Sequence, residues 1–250
     1  MRPGITRAGL PALALLAVAG APAAPPDLSG RWARLEVTTA LSDVPVVGDI
    51  TSETRAISIV DVRKTASGYE VTERVCALAN DSLGGAVRAR FPRAFLRAVS
   101  GASAPARLAA DEGRLRYEES RPVRVRGAAL EDPSREALPT APSDPRLVDA
   151  DEDGQPGLTV QVEGLVKGEI YVVQRDESAL EGAVLAPDRI AGLVRWKAEQ
   201  VVLGASRDVL AGNPDNRPHP EPGRSYFRMR RVPARATCPE VIRRASTLFR

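Results

Sequence analysis

A single histidine, His219, serves all 250 residues, and only Lys64, Lys167 and Lys197 are lysines. That scarcity removes whole classes of chemistry. A histidine set between Pro218 and Pro220, with neither G-x-S-x-G nor H-E-x-x-H anywhere in the chain, leaves no material for a serine triad or a zinc hydrolase. No glycine-rich phosphate loop follows a strand and opens a helix, so nucleotide cofactors are not expected. Aromatic residues make up 4% of the chain, and its 35 Lys+Arg are interspersed with 32 Asp+Glu. Nucleic-acid binding needs a concentrated basic surface with interleaved aromatics, and this pattern excludes it. Beyond the N-terminal region no apolar run is long enough to span a membrane.

The opening residues carry an address. Met1 to Ala23 has basic Arg2 and Arg7, an apolar stretch from Leu10 through Ala19, and Ala21 and Ala23 in an A-x-A arrangement. This is the pattern of a secretory signal peptide, too short and too proline-interrupted for a transmembrane anchor. The mature chain is expected from about residue 24, exported to the periplasm or the extracellular space. Loss of the two arginines takes the formal charge from +3 close to neutrality.

In that compartment the two cysteines, Cys76 and Cys238, most simply form one disulfide. It would close a very long loop and restrict the unfolded chain by about 5 kcal/mol on the chain-entropy account.

The patterning favours β structure. Residues 55–62 and 69–75 alternate with period two on either side of a turn at Thr65-Ala66-Ser67-Gly68, and 158–163 and 169–174 flank Lys167-Gly168 likewise. From Ile190 to Leu203, Val194, Trp196, Ala198 and Val202 fall on one side while Arg195, Lys197 and Glu199 fall on the other. Ser225 to Val232 reads as a last strand. Two short helices are expected, Pro92 to Val99 and Pro239 to Phe249. The whole reads as mainly β, an antiparallel β-barrel or a β-sandwich, in a single domain over 24–250. Proline- and aspartate-rich excursions interrupt it at about 128–157 and 211–224.

One excursion proposes specific chemistry. Asp149-Ala150-Asp151-Glu152-Asp153-Gly154-Gln155-Pro156-Gly157 has the spacing of a calcium loop, with carboxylates at positions one, three and five, a glycine for the sharp turn, and the Gln155 carbonyl next. Val160 stands where an EF-hand has its bidentate Glu, and a strand follows in place of a helix. The expectation is therefore a structural calcium site at Asp149, Asp151, Asp153 and Gln155, with Asp144 or Glu163 as candidates for a missing ligand. The acid pairs Glu118/Glu119 and Asp176/Glu177 have no catalytic spacing and read as solvated faces.

At the expected mature N-terminus, Asp27-Leu28-Ser29-Gly30-Arg31-Trp32 resembles the G-x-W opening of lipocalin-like barrels. The resemblance implies a barrel with Trp32 packed under the first strand, a late arginine (Arg228 or Arg230) lying across it, and an interior that holds one small ligand. Three functions follow as expectations: an exported non-enzymatic protein that binds a small apolar ligand or a protein partner, an envelope-associated structural or assembly protein without a pocket, and a carboxylate-dependent hydrolase.

Overall fold

In the computed structural model the described residues are 25–44, 48–111, 113–213 and 215–250, so the expected signal peptide at 1–23 lies outside them. Eleven strands follow in chain order: β1 (Gly30–Val44), β2 (Gly48–Thr65), β3 (Gly68–Ser82), β4 (Val87–Arg90), β5 (Ser103–Asp111), β6 (Arg114–Arg126), β7 (Leu158–Gly164), β8 (Gly168–Ala186), β9 (Arg189–Ala205), β10 (Asp215–Pro218) and β11 (Tyr226–Arg231). Helices α1 (Arg93–Ala98) and α2 (Cys238–Leu248) are both short.

Eight of these strands pair antiparallel in the order β1-β2-β3-β5-β6-β8-β9-β11, and β11 returns to β1. The fold is thus a closed up-and-down ring, which leaves no free sheet edge at that level. The long strands β3 and β8 continue beyond it. On β3, β5 pairs with Tyr69–Thr72 and β4 with Ala79–Ser82; on β8, β6 pairs as far as Gln174 and β7 takes over from Val172. The strand material in excess of eight builds this upper tier. The second excursion, read as irregular, also contains one of the extra strands, since β10 pairs with Ala40–Asp43 of β1.

Two features close the lower end. Trp32 donates its indole N–H to the Leu28 carbonyl at 2.9 Å, and both side chains are buried with Tyr117, Phe227, Met229, Leu180 and Ile190. Arg231 lies over the Trp32 ring at 4.6 Å and donates to the Ser29 and Asp27 carbonyls. The expected arginines are displaced by parity. Phe227, Met229 and Arg231 share the inward row of β11, so Arg228 and Arg230 face out and donate to the carbonyls of Phe249 and Leu248 at the end of α2.

The outer wall carries two covers. Helix α2, opened by a Thr237/Glu240 capping box, packs Val241 and Phe249 against Ala33 and Ile59. Cys76, the unpaired residue of a bulge opposite Ile57 and Ser58, lies on this wall and meets Cys238 at disulfide distance, Cα–Cα 5.2 Å across 162 residues. The 128–157 excursion lays Leu138, Leu130 and Leu147 over Val173, Val201 and Leu203 on β8 and β9. Elsewhere the wall carries ion pairs beside the exposed Leu185 and Leu193: Arg107 meets Glu118 at 2.7 Å, Arg195 meets Glu181 at 3.1 Å, and Arg175 meets Glu199 at 3.1 Å. Among the described residues no helix is long and apolar enough to cross a membrane.

Candidate functional site

Above the apolar floor the barrel interior turns ionic. Strand β1 presents Arg34 and Glu36 inward, and β6, four strands away around the eight-membered ring, presents Glu119 and Arg121. The two strands exchange ion pairs across the lumen. Arg34 donates to both oxygens of Glu119 at 3.1 and 2.9 Å, while Arg121 donates to both oxygens of Glu36 at 3.1 and 2.8 Å and to Glu119 at 2.8 Å. Glu73 of β3 joins from the side, 2.8 Å from Arg34, and Tyr117 donates its hydroxyl to Glu119 at 2.5 Å.

These groups keep their charges because they are mutually compensated. Burial pushes Glu119 and Glu73 toward the neutral acid, but Arg34 and then Arg121 more than offset it and hold both carboxyls below the usual range. Burial and Arg121 oppose the charge on Arg34, and Glu119, Glu73 and Glu36 together hold it above the ordinary arginine value. Burial, followed by the Glu119 charge, drives Tyr117 well up.

One level higher, the inward row of β6 continues with Arg124 and Arg126. A one-residue bulge makes this possible: Arg121 pairs with Ser178 and Arg124 with Asp176, so three steps on β6 match two on β8. Arg126 is ion-paired with Asp176, and Gln174 donates to Gln200 at 2.8 Å across β8 and β9. Solvent reaches this tier. The Asp176 side chain keeps 35% exposure and Arg126 18%, and Ala198, on the inward row of β9 beyond the end of β11, is exposed. Leu158, Val160, Val172 and Val202, packed on Phe95 of α1, form an apolar cap next to it.

The acidic loop lies elsewhere, on the outer wall. Asp149, Asp151 and Asp153 are brought together, one carboxylate oxygen of each within 4.8 Å of the others. Asp149 accepts the N–H of Asp153 at 3.1 Å and of Gly154 at 2.8 Å, and Asp153 accepts that of Gln155 at 2.9 Å. Asp151, only 4% exposed, accepts the Thr159 N–H through Oδ2 at 3.0 Å, and its Oδ1 is buried without a partner. Burial, with Asp153 and Asp149 beside it, raises the Asp151 pKa. A donor set of hard oxygens with one orphaned buried oxygen fits a hard cation. Neither suggested extra ligand joins the cluster: Asp144 is bound to Arg146 at 2.7 Å and Glu163 to Arg90 at 3.0 Å.

The loop also closes the excursion. Gly127 and Gly157, at its two ends, both take positive φ, and a Cβ on Gly157 would lie 2.4 Å from the Val172 carbonyl. Val148 donates to Gly127 and Ala150 to Gly157, so the acidic turn hangs from a clip on the back of β8.

Sequence reasoning found the acidic loop and the cysteines but missed the ionic belt. Strands β5 and β6 were not expected, and the acid pairs were assigned to solvent as pairs. In each pair one member faces in: Glu119 and Asp176 are inside, while Glu118 faces out to Arg107 and Glu177 is exposed. The available signal was reciprocal, Arg34-x-Glu36 on one strand and Glu119-x-Arg121 on another. His219 is a loop residue that accepts the Glu221 N–H through Nδ1 at 3.1 Å.

The fold and site define a closed antiparallel barrel with an ionised interior and a stapled outer loop. No protein-family model, no curated protein and no solved structure matches the chain.

Proposed function

We propose that the chain is an exported, non-enzymatic β-barrel that binds a small ligand in the open tier of its interior, with calcium as a structural staple of the outer loop. The observation that carries this reading is the cluster of polar inward side chains Arg124, Arg126, Asp176, Gln174 and Gln200, partly open to solvent at Asp176 and Arg126, set between an ionic belt below and an apolar cap beside it. A closed ring of about eight strands has room for side chains or one small ligand. The lower half is filled with side chains, whereas Asp176 and Arg126 in the upper half are partly exposed.

Binding is favoured over hydrolysis by the state of the carboxylates. Acid/base cleavage of a glycosidic type of bond needs one carboxyl kept protonated near neutral pH. Glu73 and Glu119 are instead held ionised by two arginines, and Tyr117 is held protonated far above neutrality. The charged ladder on the outer wall favours a water-facing barrel, because cations in mid-bilayer cost about 2–4 kcal/mol each. The polar lining favours a polar ligand over the apolar one that the lipocalin-like resemblance implies.

Trp196 provides the test. It lies on the inward row of β9, its indole N–H 3.2 Å from Ser225 Oγ, whereas Trp32 is sealed in the floor. Native mass spectrometry of the exported protein should show a small-molecule adduct, and adding that compound back should shift the Trp196 emission. The shift should disappear in Trp196→Phe. An adduct-free protein with unchanged emission across fatty acids, sugars and organic acids sinks the ligand reading, and retention of the full chain in the cytoplasm sinks export.

A further inference from the structure

We infer that the upper tier is a site for a small oxyanion, a carboxylate or a phosphate, gripped by Arg124 and Arg126; this deepens the ligand-binding reading and rests on it. In an uninterrupted strand the step from Arg121 to Arg124 would turn Arg124 out of the barrel. The bulge at Pro122–Val123 restores it to the inward row, so three guanidinium groups follow one another along β6.

Their compensation is unequal. Arg121 is held by Glu36 and Glu119, and Arg126 by Asp176. Arg124 donates to the neutral Ser103 carbonyl at 3.0 Å and makes no ion pair among the described residues. Burial and then the Arg121 charge work against the Arg124 cation. Arg126 is lowered to about 10 by burial and then by Arg124, with its partner Asp176 half turned to water. A guanidinium does not lose its proton in a protein, so an anion bridging the two completes the compensation that Asp176 and water give only in part. The solvent access at Ala198 and Asp176 lets one arrive. The guanidinium fork matches two oxygens of a planar carboxylate or a tetrahedral phosphate.

Calorimetric titration of the full mature chain at constant ionic strength, with sodium phosphate, sodium acetate and sodium chloride as the three arms, tests this. Saturable binding of phosphate or acetate but not chloride is expected. It should weaken at least about tenfold in Arg124→Gln and stay unchanged in Arg93→Gln on the exposed face of α1. Phosphate tighter than acetate assigns a dianion; the reverse order assigns a carboxylate. In anion-free buffer Arg124→Gln should melt no lower than the wild type, because it removes an uncompensated charge, and this separates lost binding from lost folding. Three results overturn the site: no anion saturates, Arg124→Gln binds as well as wild type, or the variant melts well below wild type without anion. If anions fail while a neutral adduct is retained in native mass spectra, the oxyanion site falls and the ligand-binding barrel stands. If neither binds, both fall.

Discussion

Arg34 and Glu119 stand on opposite strands of the eight-membered ring and meet at 2.9 Å in its middle, both almost wholly buried. Together with the reciprocal Glu36–Arg121 pair they fix the cross-section of the barrel in two directions of charge. Glu119 accepts from Arg34, Arg121 and Tyr117 at once, so removing it leaves three buried donors short of an acceptor even though Glu73 and Glu36 still face the two arginines.

A double-mutant cycle should show this. Glu119→Leu is expected to lose about 1–3 kcal/mol of stability, because Arg34, Arg121 and Tyr117 lose a shared acceptor while Glu73 and Glu36 remain. Arg34→Met with Glu119→Leu should recover part of that loss, measured by urea unfolding. Additive losses would mean that the pair is not coupled.

The belt also sets the acid limit of the fold. Glu73 and Glu119 have folded pKa values below their unfolded ones, so their stabilisation is complete above the unfolded carboxyl range and is lost as pH falls through the folded values. The melting temperature should hold down to about pH 5 and fall steeply below about pH 4. In Glu119→Gln the fall should be shallower, since one of the two depressed groups no longer titrates.

Asp151 has the opposite sign. Its raised pKa means that ionisation costs stability in the metal-free protein, and the cost grows as pH rises through the folded value. Asp151→Asn should therefore leave the metal-free melting temperature equal or higher and abolish any rise on adding calcium. Calcium should stabilise the unaltered chain, with EDTA reversing it. An unchanged melting curve in calcium would remove the structural-metal proposal.

Gly157 couples that loop to the barrel. Gly157→Ala places a Cβ against the Val172 carbonyl at positive φ, and should cost about 1–3 kcal/mol while halving or abolishing the calcium response. Hydrogen exchange should rise first across 128–157, with the β1–β2 ladder unaffected.

Reading the chain alone located most of the long strands, because alternation at 55–62, 158–163 and 190–203 follows from one face being buried, and it located both helices from their prolines. Strands β4, β5, β6 and β10 escaped because arginine, alanine and proline interrupt their apolar rows. A strand whose inward face is ionic has no hydrophobic period to detect.

What the sequence by itself determined is local: the turns, the capping box at Thr237 and Glu240, the acidic turn, and a cysteine pair with only one possible intramolecular pairing. Which acids are buried, which arginine covers Trp32, and that Arg124 faces inward were decided by ring closure and by the bulge on β6, since a one-residue change of register reverses every side chain beyond it. Pairings such as Arg34 with Glu119 exist only once strands 85 residues apart are brought face to face.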